Sequence, residues 1–280
     1  MEIGIVGLGL IGGSMAKAIR VHTGHRVLGY DRDAAAQAQA LADGVIDGAL
    51  DERTLGACRL LLLALYPTAT VDFVPRNAEH IGAQARVVDL CGVKRYVCDA
   101  INPIADRCGF YFVGGHPMAG RERSGYGASS ASLYQGASML LTPREETPDD
   151  VLSELEEFFL TLGFGTVSRT DAAEHDSMIA YTSQLAHVLS NAYVKSPRAL
   201  RHKQFSGGSF QDLTRVATLN EIMWSELFLH NRDPLIEEID ALCARLSAYG
   251  DALRANDEIS LRALLREGCE WKERIVQGKE

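Results

Sequence analysis

The chain has 280 residues, 46% of them hydrophobic and 23% charged, with a formal net charge of −9. That length accommodates two domains with separate cores, and the acidic balance argues against nucleic acid or an anionic membrane as the main partner. Its six cysteines, Cys58, Cys91, Cys98, Cys108, Cys243 and Cys269, show no C-x-x-C pair and no metal-ligand spacing, so they read as reduced thiols of a cytoplasmic protein.

Residues 1–6 (MEIGIV) form a short apolar run rich in β-branched side chains. The turn Gly7-Leu8-Gly9-Leu10-Ile11-Gly12 interrupts it, so neither a signal peptide nor a membrane span is expected. A helical pattern over residues 14–19 completes the strand, glycine turn and helix of a dinucleotide-binding unit. Gly7 permits the tight turn, Gly9 lets the backbone approach a pyrophosphate, and Gly12 lets the helix pack on the strand. Leu8, Leu10 and Ile11 belong to the same cofactor turn, and the helix N-terminus faces the phosphate charge. A second strand, residues 26–30 (RVLGY), ends at Asp31, nineteen residues after Gly12. An acid there accepts hydrogen bonds from ribose hydroxyls and repels a 2′-phosphate. NAD is therefore expected over NADP, although Arg32 keeps NADP open. The alternative is an ordinary strand–turn–helix start in which Asp31 caps the next helix.

Residues 32–41 read as helix, and residues 58–66 (CRLLLLALY) as a strand covered on both faces. Pro67 closes that strand, Tyr66 at its end is assigned to the cofactor site, and a helix runs from Thr68 toward Arg76. Strand patterns recur at 85–90, 111–113 and 137–141, and helical ones at 93–101 and 149–162. This alternation predicts an α/β fold, a Rossmann-like doubly wound parallel sheet with right-handed crossovers, over residues 1–170. Residues 171–280 show only helical periodicity and are expected to form an all-helical domain. Ser209 with Asp212 resembles a capping box, and Asp233-Pro234 an N-cap followed by proline at the first helical position. Gly250 and Asn256-Asp257 are expected to separate two final helices, and residues 195–204 to form a mobile basic connection.

Ligands of open α/β sheets lie beyond the carboxyl ends of the strands. His116 follows a strand on the glycine-rich loop 114–120, and its ordinary pKa near 6.5 suits acid/base work. On an ideal helix starting near Asp171, Asp176, Ser183 and His187 fall within about 40° of one another, while His175 points roughly 100° away and is expected to have another role. Arg215 shares a helix face with Gln211 and Thr218. It could grip a carboxylate with two prongs or form a surface salt bridge with Asp212 or Glu221.

Together these motifs resemble the prephenate/arogenate dehydrogenase family of tyrosine biosynthesis. The matching segments are residues 6–14 (VGLGLIGGS), 115–120 (GHPMAG), Ser124-Gly125, Glu174-His175-Asp176, 183–187 (SQLAH), 212–217 (DLTRVA) and Met223-Trp224. The resemblance implies a 6-phosphogluconate-dehydrogenase-like arrangement of sheet and helical domains. It also implies oxidative decarboxylation of prephenate with hydride transfer to NAD. On it, His116 is the catalytic base and Arg215 binds a substrate carboxylate. His187 and Ser183 line the substrate and nicotinamide pocket, and Arg121 and Glu122 lie near the pyruvyl side chain. A homodimer through the helical domain is implied as well.

Within Asp89-Leu90-Cys91-Gly92-Val93-Lys94, Gly92 stands where many members carry a serine that contacts the histidine or substrate. Another group or a water must then orient His116, with Cys91 and Ser124 as candidates. Arogenate is the alternative substrate: Glu122 would favour its amino group, Arg121 the keto acid of prephenate. A hydroxyacid dehydrogenase would be expected to place a lysine on the first interdomain helix, and residues 171–194 contain none. A non-catalytic NAD sensor has no use for Asp176, Ser183, His187 and Arg215 in a pocket.

Overall fold

The computed structural model describes residues 1–278. Its chain divides into two compact units, Met1–Arg232 and a second from Asp233 onward. The first unit alternates strands and helices in the order β1 (Glu2–Val6), α1 (Leu10–His22), β2 (Arg26–Tyr30), α2 (Ala34–Ala42), β3 (Gly48–Ala49), α3 (Glu52–Leu55), β4 (Leu60–Leu63), α4 (Pro67–Asn77), β5 (Arg86–Asp89), α5 (Arg95–Cys108) and β6 (Tyr111–Pro117). Then come β7 (Ser138–Thr142), α6 (Asp149–Thr161) and β8 (Thr166–Arg169), giving an eight-stranded sheet of order β3-β2-β1-β4-β5-β6-β7-β8.

Burial on both faces explains the strands. In β4, Leu60 and Leu62 enter one core cluster with Ile3, Ile5 and Val88, while Leu61 and Leu63 enter the other with Val6, Val87 and Phe112. Successive side chains of a strand point to opposite faces, so a four-leucine run fills both layers. Each such leucine contributes about 1.5–3 kcal/mol of burial.

The expectation of an all-parallel sheet needs one correction. β7 pairs antiparallel with β6, and β8 parallel with β7, so the last two strands run against the first six. Only a short 3-10 turn, Tyr126–Ala128, lies between β6 and β7, with no α-helix to carry the chain across the sheet, and a chain that turns back at the same end can only pair antiparallel.

The unit continues through α7 (Ala172–Ile179), a π-helical stretch (Ala180–Leu185), α8 (Ala186–Tyr193), α9 (Gly208–Thr214) and α10 (Glu221–His230). Several caps differ from those expected. Asp33, not Asp31, caps α2 by accepting the Ala35 N–H. Gly207 precedes α9 without a side-chain cap, so Ser209 and Asp212 form no capping box. The connection 195–204 contains a short 3-10 turn, Pro197–Arg201, capped by Ser196.

In the second unit, α11 (Arg232–Arg254) begins one residue before Asp233, which places Pro234 in a first turn where no intrahelical donor is missed. Gly250 lies inside α11, and the break before α12 (Glu258–Gln277) comes only at residues 255–257, with Asp257 as the cap. No helix among the described residues is long and apolar enough to cross a membrane.

The three glycines of the first turn differ in what surrounds them. Gly7 has φ +91°, a conformation side chains rarely adopt. A Cβ on Gly12 would lie 1.8 Å from the Gly7 carbonyl oxygen, whereas one on Gly9 would meet nothing within 4 Å. Gly12→Ala should therefore destabilise the ligand-free fold by about 1–3 kcal/mol through overpacking, read as a lower urea midpoint. Gly9→Ala should leave that midpoint unchanged and weaken nucleotide binding.

Candidate active site

The site is built around a buried ion pair at the end of β5. Lys94 and Asp89 are both fully buried, and the Lys94 ammonium donates to Asp89 Oδ2 and, at 2.6 Å, to the Gly115 carbonyl. Burial works against the charge on Lys94, but the Asp89 carboxylate outweighs it and holds the lysine above its ordinary pKa. Asp89 also accepts the N–H groups of Cys91 at 2.9 Å and Gly115 at 3.3 Å. The pair thus fastens the β5–α5 turn to β6 at the residue before His116.

His116 therefore stands on a strand, not on the glycine-rich loop expected from the sequence. The preceding glycines serve packing: a Cβ on Gly114 would lie 2.2 Å from Thr142 Oγ1, and one on Gly115 2.7 Å from the Asp89 carbonyl oxygen.

His116 is partly exposed, and its Nδ1 shares a 2.9 Å hydrogen bond with Nε2 of buried His175. His175 Nδ1 in turn lies 2.8 Å from Asp176 Oδ1. Asp176 accepts the N–H groups of Lys94 at 2.7 Å and Arg95 at 2.9 Å, so it closes the N-terminus of α5. Asp176, grouped by helix spacing with Ser183 and His187, is bonded instead to the start of α5, and His175, expected to have another role, is the one that reaches His116. An ideal-helix wheel fails here because the π-helical stretch between Asp176 and His187 changes the step per residue. The adjacent acid and imidazole of Glu174-His175-Asp176 were the signal available in the sequence.

Burial first, then His175 and Lys94, hold His116 well below its ordinary pKa. Burial also lowers His175, against its hydrogen bond to the Asp176 carboxylate. Burial would raise Asp176, but His175 and the two backbone donors outweigh it and keep it low. The outcome is a neutral pair of imidazoles on an ionised carboxylate at neutral pH.

Gly92 faces the other nitrogen: a Cβ there would lie 3.8 Å from His116 Nε2 and 3.3 Å from Leu227 Cδ2. Neither candidate substitute for a hydroxyl at this position bonds to His116. The Cys91 thiol, its pKa pushed up by burial, donates to the Leu65 carbonyl at 3.4 Å and lies 3.3 Å from Thr70 Oγ1. Ser124 is exposed.

A second cluster joins the helices. His187 Nδ1 donates to the Ser183 carbonyl at 2.8 Å, and its ring lies 4.1 Å from that of Trp224 on α10. One turn later on α10, Leu227 packs beside Gly92, and its carbonyl accepts from Gln184 at 3.3 Å. Buried Asn231 donates to the Asp176 carbonyl at 2.8 Å and to Gln184 Oε1 at 2.9 Å. Arg121 and Glu122 are exposed, as is Arg215, which pairs with neither Asp212 nor Glu221.

A nucleotide fits the third group. Asp31 Oδ2 accepts the Leu8 N–H at 2.6 Å, and Oδ1 that of Asp33 at 2.8 Å, so the carboxylate ties the end of β2 to the glycine turn. The N-terminus of α1, which includes Leu10 and Ile11, carries no side-chain cap, and the space at Gly9 is open. Beside them runs a cleft of about 780 Å³, lined by Val6, Tyr30, Arg32, Leu50, Leu65 and Phe73. Tyr66 is exposed at the start of α4.

Lys94→Met should lower stability by roughly 3–5 kcal/mol, because Asp89 is left as an unpaired buried charge. Urea unfolding measures this, and Lys94→Met with Asp89→Leu should recover much of the loss.

Residues 15–167 match the nucleotide-binding domain of prephenate dehydrogenase, and residues 171–267 its dimerization domain. The prephenate dehydrogenase of Bacillus subtilis (strain 168) is 30% identical over 246 residues, covering 84% of this chain and 66% of that protein, just under two thirds of its length. The cyclohexadienyl dehydrogenase of Zymomonas mobilis is 29% identical over 268 residues, covering 91% of this chain and 89% of its own. Among solved structures, the prephenate dehydrogenase from A. aeolicus in complex with hydroxyphenyl propionate and NAD+ matches with a TM-score of 0.85 at 28% identity, covering 98% of both chains. With both domains matched in order on this sheet and these helices, the chain belongs to the prephenate dehydrogenase family.

Proposed function

We propose that the protein binds NAD on its glycine turn and oxidises prephenate, with loss of CO2, to 4-hydroxyphenylpyruvate. The observation that carries this reading is His116: a neutral, partly exposed imidazole, held at Nδ1 and free at Nε2. Bound NAD supplies the hydride acceptor. His116 Nε2 takes the C4 hydroxyl proton as hydride leaves C4, and the electrons of the departing C1 carboxylate pass into the ring. The oxygen at C4 ends as a phenol, so His116 returns the proton it took and none is released overall.

The cofactor reading rests on the open space at Gly9, the Gly7 and Gly12 geometry, and the Asp31 carboxylate, which repels a 2′-phosphate. It is supported by the NAD+ complex of the A. aeolicus relative. Arg215, an exposed guanidinium that pairs with no carboxylate among the described residues, binds a substrate carboxylate. His187, braced by the Ser183 carbonyl and Trp224, lines the pocket with Ser183 and Gly92. Arg121 and Glu122 meet the side chain. Arogenate is the second reading, favoured by the similarity to a cyclohexadienyl dehydrogenase. The protein acts as a homodimer: residues 171–267 match a dimerization domain, and α12 buries none of its side chains while exposing Trp271, Ile275 and Val276.

NADH absorbance with prephenate and arogenate offered separately, each with NAD and with NADP, tests the assignment. Turnover with prephenate and NAD is expected; turnover with arogenate alone reassigns the pocket around Arg121 and Glu122, and none with either sinks the reading. His116→Asn should lower kcat by about 10²–10⁴-fold, and retention within about threefold removes His116 as the base. Arg215→Ala should chiefly raise KM. Because activity needs neutral His116 and burial lowers its pKa, the acid limb of kcat/KM should fall below the ordinary histidine value of about 6.5.

A further inference from the structure

The hydrogen bonds around His116 determine where its protons lie. Asp176 is a buried carboxylate that already accepts from the Lys94 and Arg95 N–H groups. An ionised carboxylate only accepts, so the 2.8 Å bond from His175 is donated by its Nδ1–H. Neutral imidazole carries one N–H, which leaves His175 Nε2 as an acceptor. The 2.9 Å bond between the rings is therefore donated by His116 Nδ1–H. Nε2 of His116 keeps its lone pair and points to the side where Gly92 and Leu227 lie.

We infer that His175, itself oriented by Asp176, is the positioning residue that holds His116 in the Nδ1–H tautomer and aims its basic Nε2 at the substrate. Nothing else does this: Gly92 has no side chain, Leu227 is apolar, and Cys91 bonds elsewhere. His175 makes the only side-chain hydrogen bond to His116 among the described residues. The remaining charged groups around the two rings are Lys94 and Asp89, which pair with each other, and Arg95, whose Nε lies 3.5 Å from Asp176 Oδ2. None of these side chains bonds to either imidazole. When His116 takes a proton at Nε2, its Nδ1–H bond to His175 is kept, so the ring holds its direction through the transfer. Such an orienting partner sets tautomer and direction without becoming protonated itself.

The inference rests on His116 being the base, and the experiment separates the two. Three variants are assayed for kcat and KM with the parent: His116→Asn, His175→Leu and His175→Gln. Long-range proton–nitrogen NMR on 15N-histidine protein reads the His116 tautomer directly, its signal among the eight histidines being the one lost in His116→Asn. His175→Leu should lower kcat at least about 10-fold with little change in KM, and should convert His116 to an Nε2–H or mixed tautomer. His175→Gln, whose Oε1 can accept from Nδ1–H, should recover most of kcat and the parent signal. If His175→Leu does not fold, His175→Asn replaces it, since the shorter amide can still bond Asp176 but does not reach His116.

The inference is overturned if His116 stays Nδ1–H without His175. It is also overturned if kcat holds within about threefold of the parent, or if the glutamine and leucine variants are equally impaired. A His116→Asn enzyme that keeps its kcat removes the base reading instead, while the tautomer spectrum still decides what His175 does.

Discussion

Much of the site depends on one buried ion pair. Lys94 and Asp89 gain little net stability from each other once their desolvation is counted, but removing either leaves a bare charge in the core. Their value is geometric. Asp89 and Lys94 between them fix the N–H groups of Cys91 and Gly115 and the carbonyl of Gly115. This sets the turn after β5 and the start of α5 in one register with β6. Asp176 then closes α5 from above and presents its neighbour His175 to His116. A charge pair in the sheet thus positions a histidine on a helix some eighty residues further along the chain.

The two halves of the proposed chemistry rest on opposite devices. At the glycine turn the structure works by omission, since side chains at Gly7 or Gly12 would collide with backbone and the space at Gly9 is open. At His116 it works by saturation, with each polar atom of the Asp89–Lys94 and Asp176–His175 groups engaged. Helix α10 packs beside the second of these within the first unit. Glu226 accepts the Thr68 N–H of α4 at 2.6 Å, His230 lies 3.2 Å from Thr68 Oγ1 and stacks on Tyr96 at 3.6 Å, and Leu227 covers Gly92. Trp224 on the same helix backs His187.

What the sequence disclosed was what is local. The glycine turn, the four-leucine strand and the acid after β2 are patterns only a few residues long. The direction of β7 and β8 was not legible, because a strand's polarity depends on the path of its connection and not on its composition. Residues 111–113 looked like a complete strand because Gly114 and Gly115 read as a loop. They are glycines because Thr142 and the Asp89 backbone crowd them, a contact visible only across the sheet. Gly250 looked like a break and is not one, since packing tolerates a helical glycine at a penalty of about 1 kcal/mol. The link from His175 to His116 was not legible because it joins α7 to β6 across the fold, and a wheel for Asp176, Ser183 and His187 assumes a constant step that the π-helical stretch between them does not keep.

A base held well below its ordinary pKa looks ill suited to removing a proton from an alcohol. On the proposed reaction it is well matched. The hydroxyl becomes acidic only as hydride leaves C4 and the oxygen turns into a carbonyl, so the proton is already leaving when Nε2 receives it. A strong base would bind a proton from water first and be lost to the reaction, whereas His116 stays neutral and available. Because the aromatic product takes the proton back at the same oxygen, a group that holds it weakly also releases it readily. Burial, then His175 and the nearby Lys94 charge, weaken the base, while the hydrogen bond to His175 fixes its direction. Weak proton affinity and firm orientation are separate requirements, and the surroundings of one ring supply both.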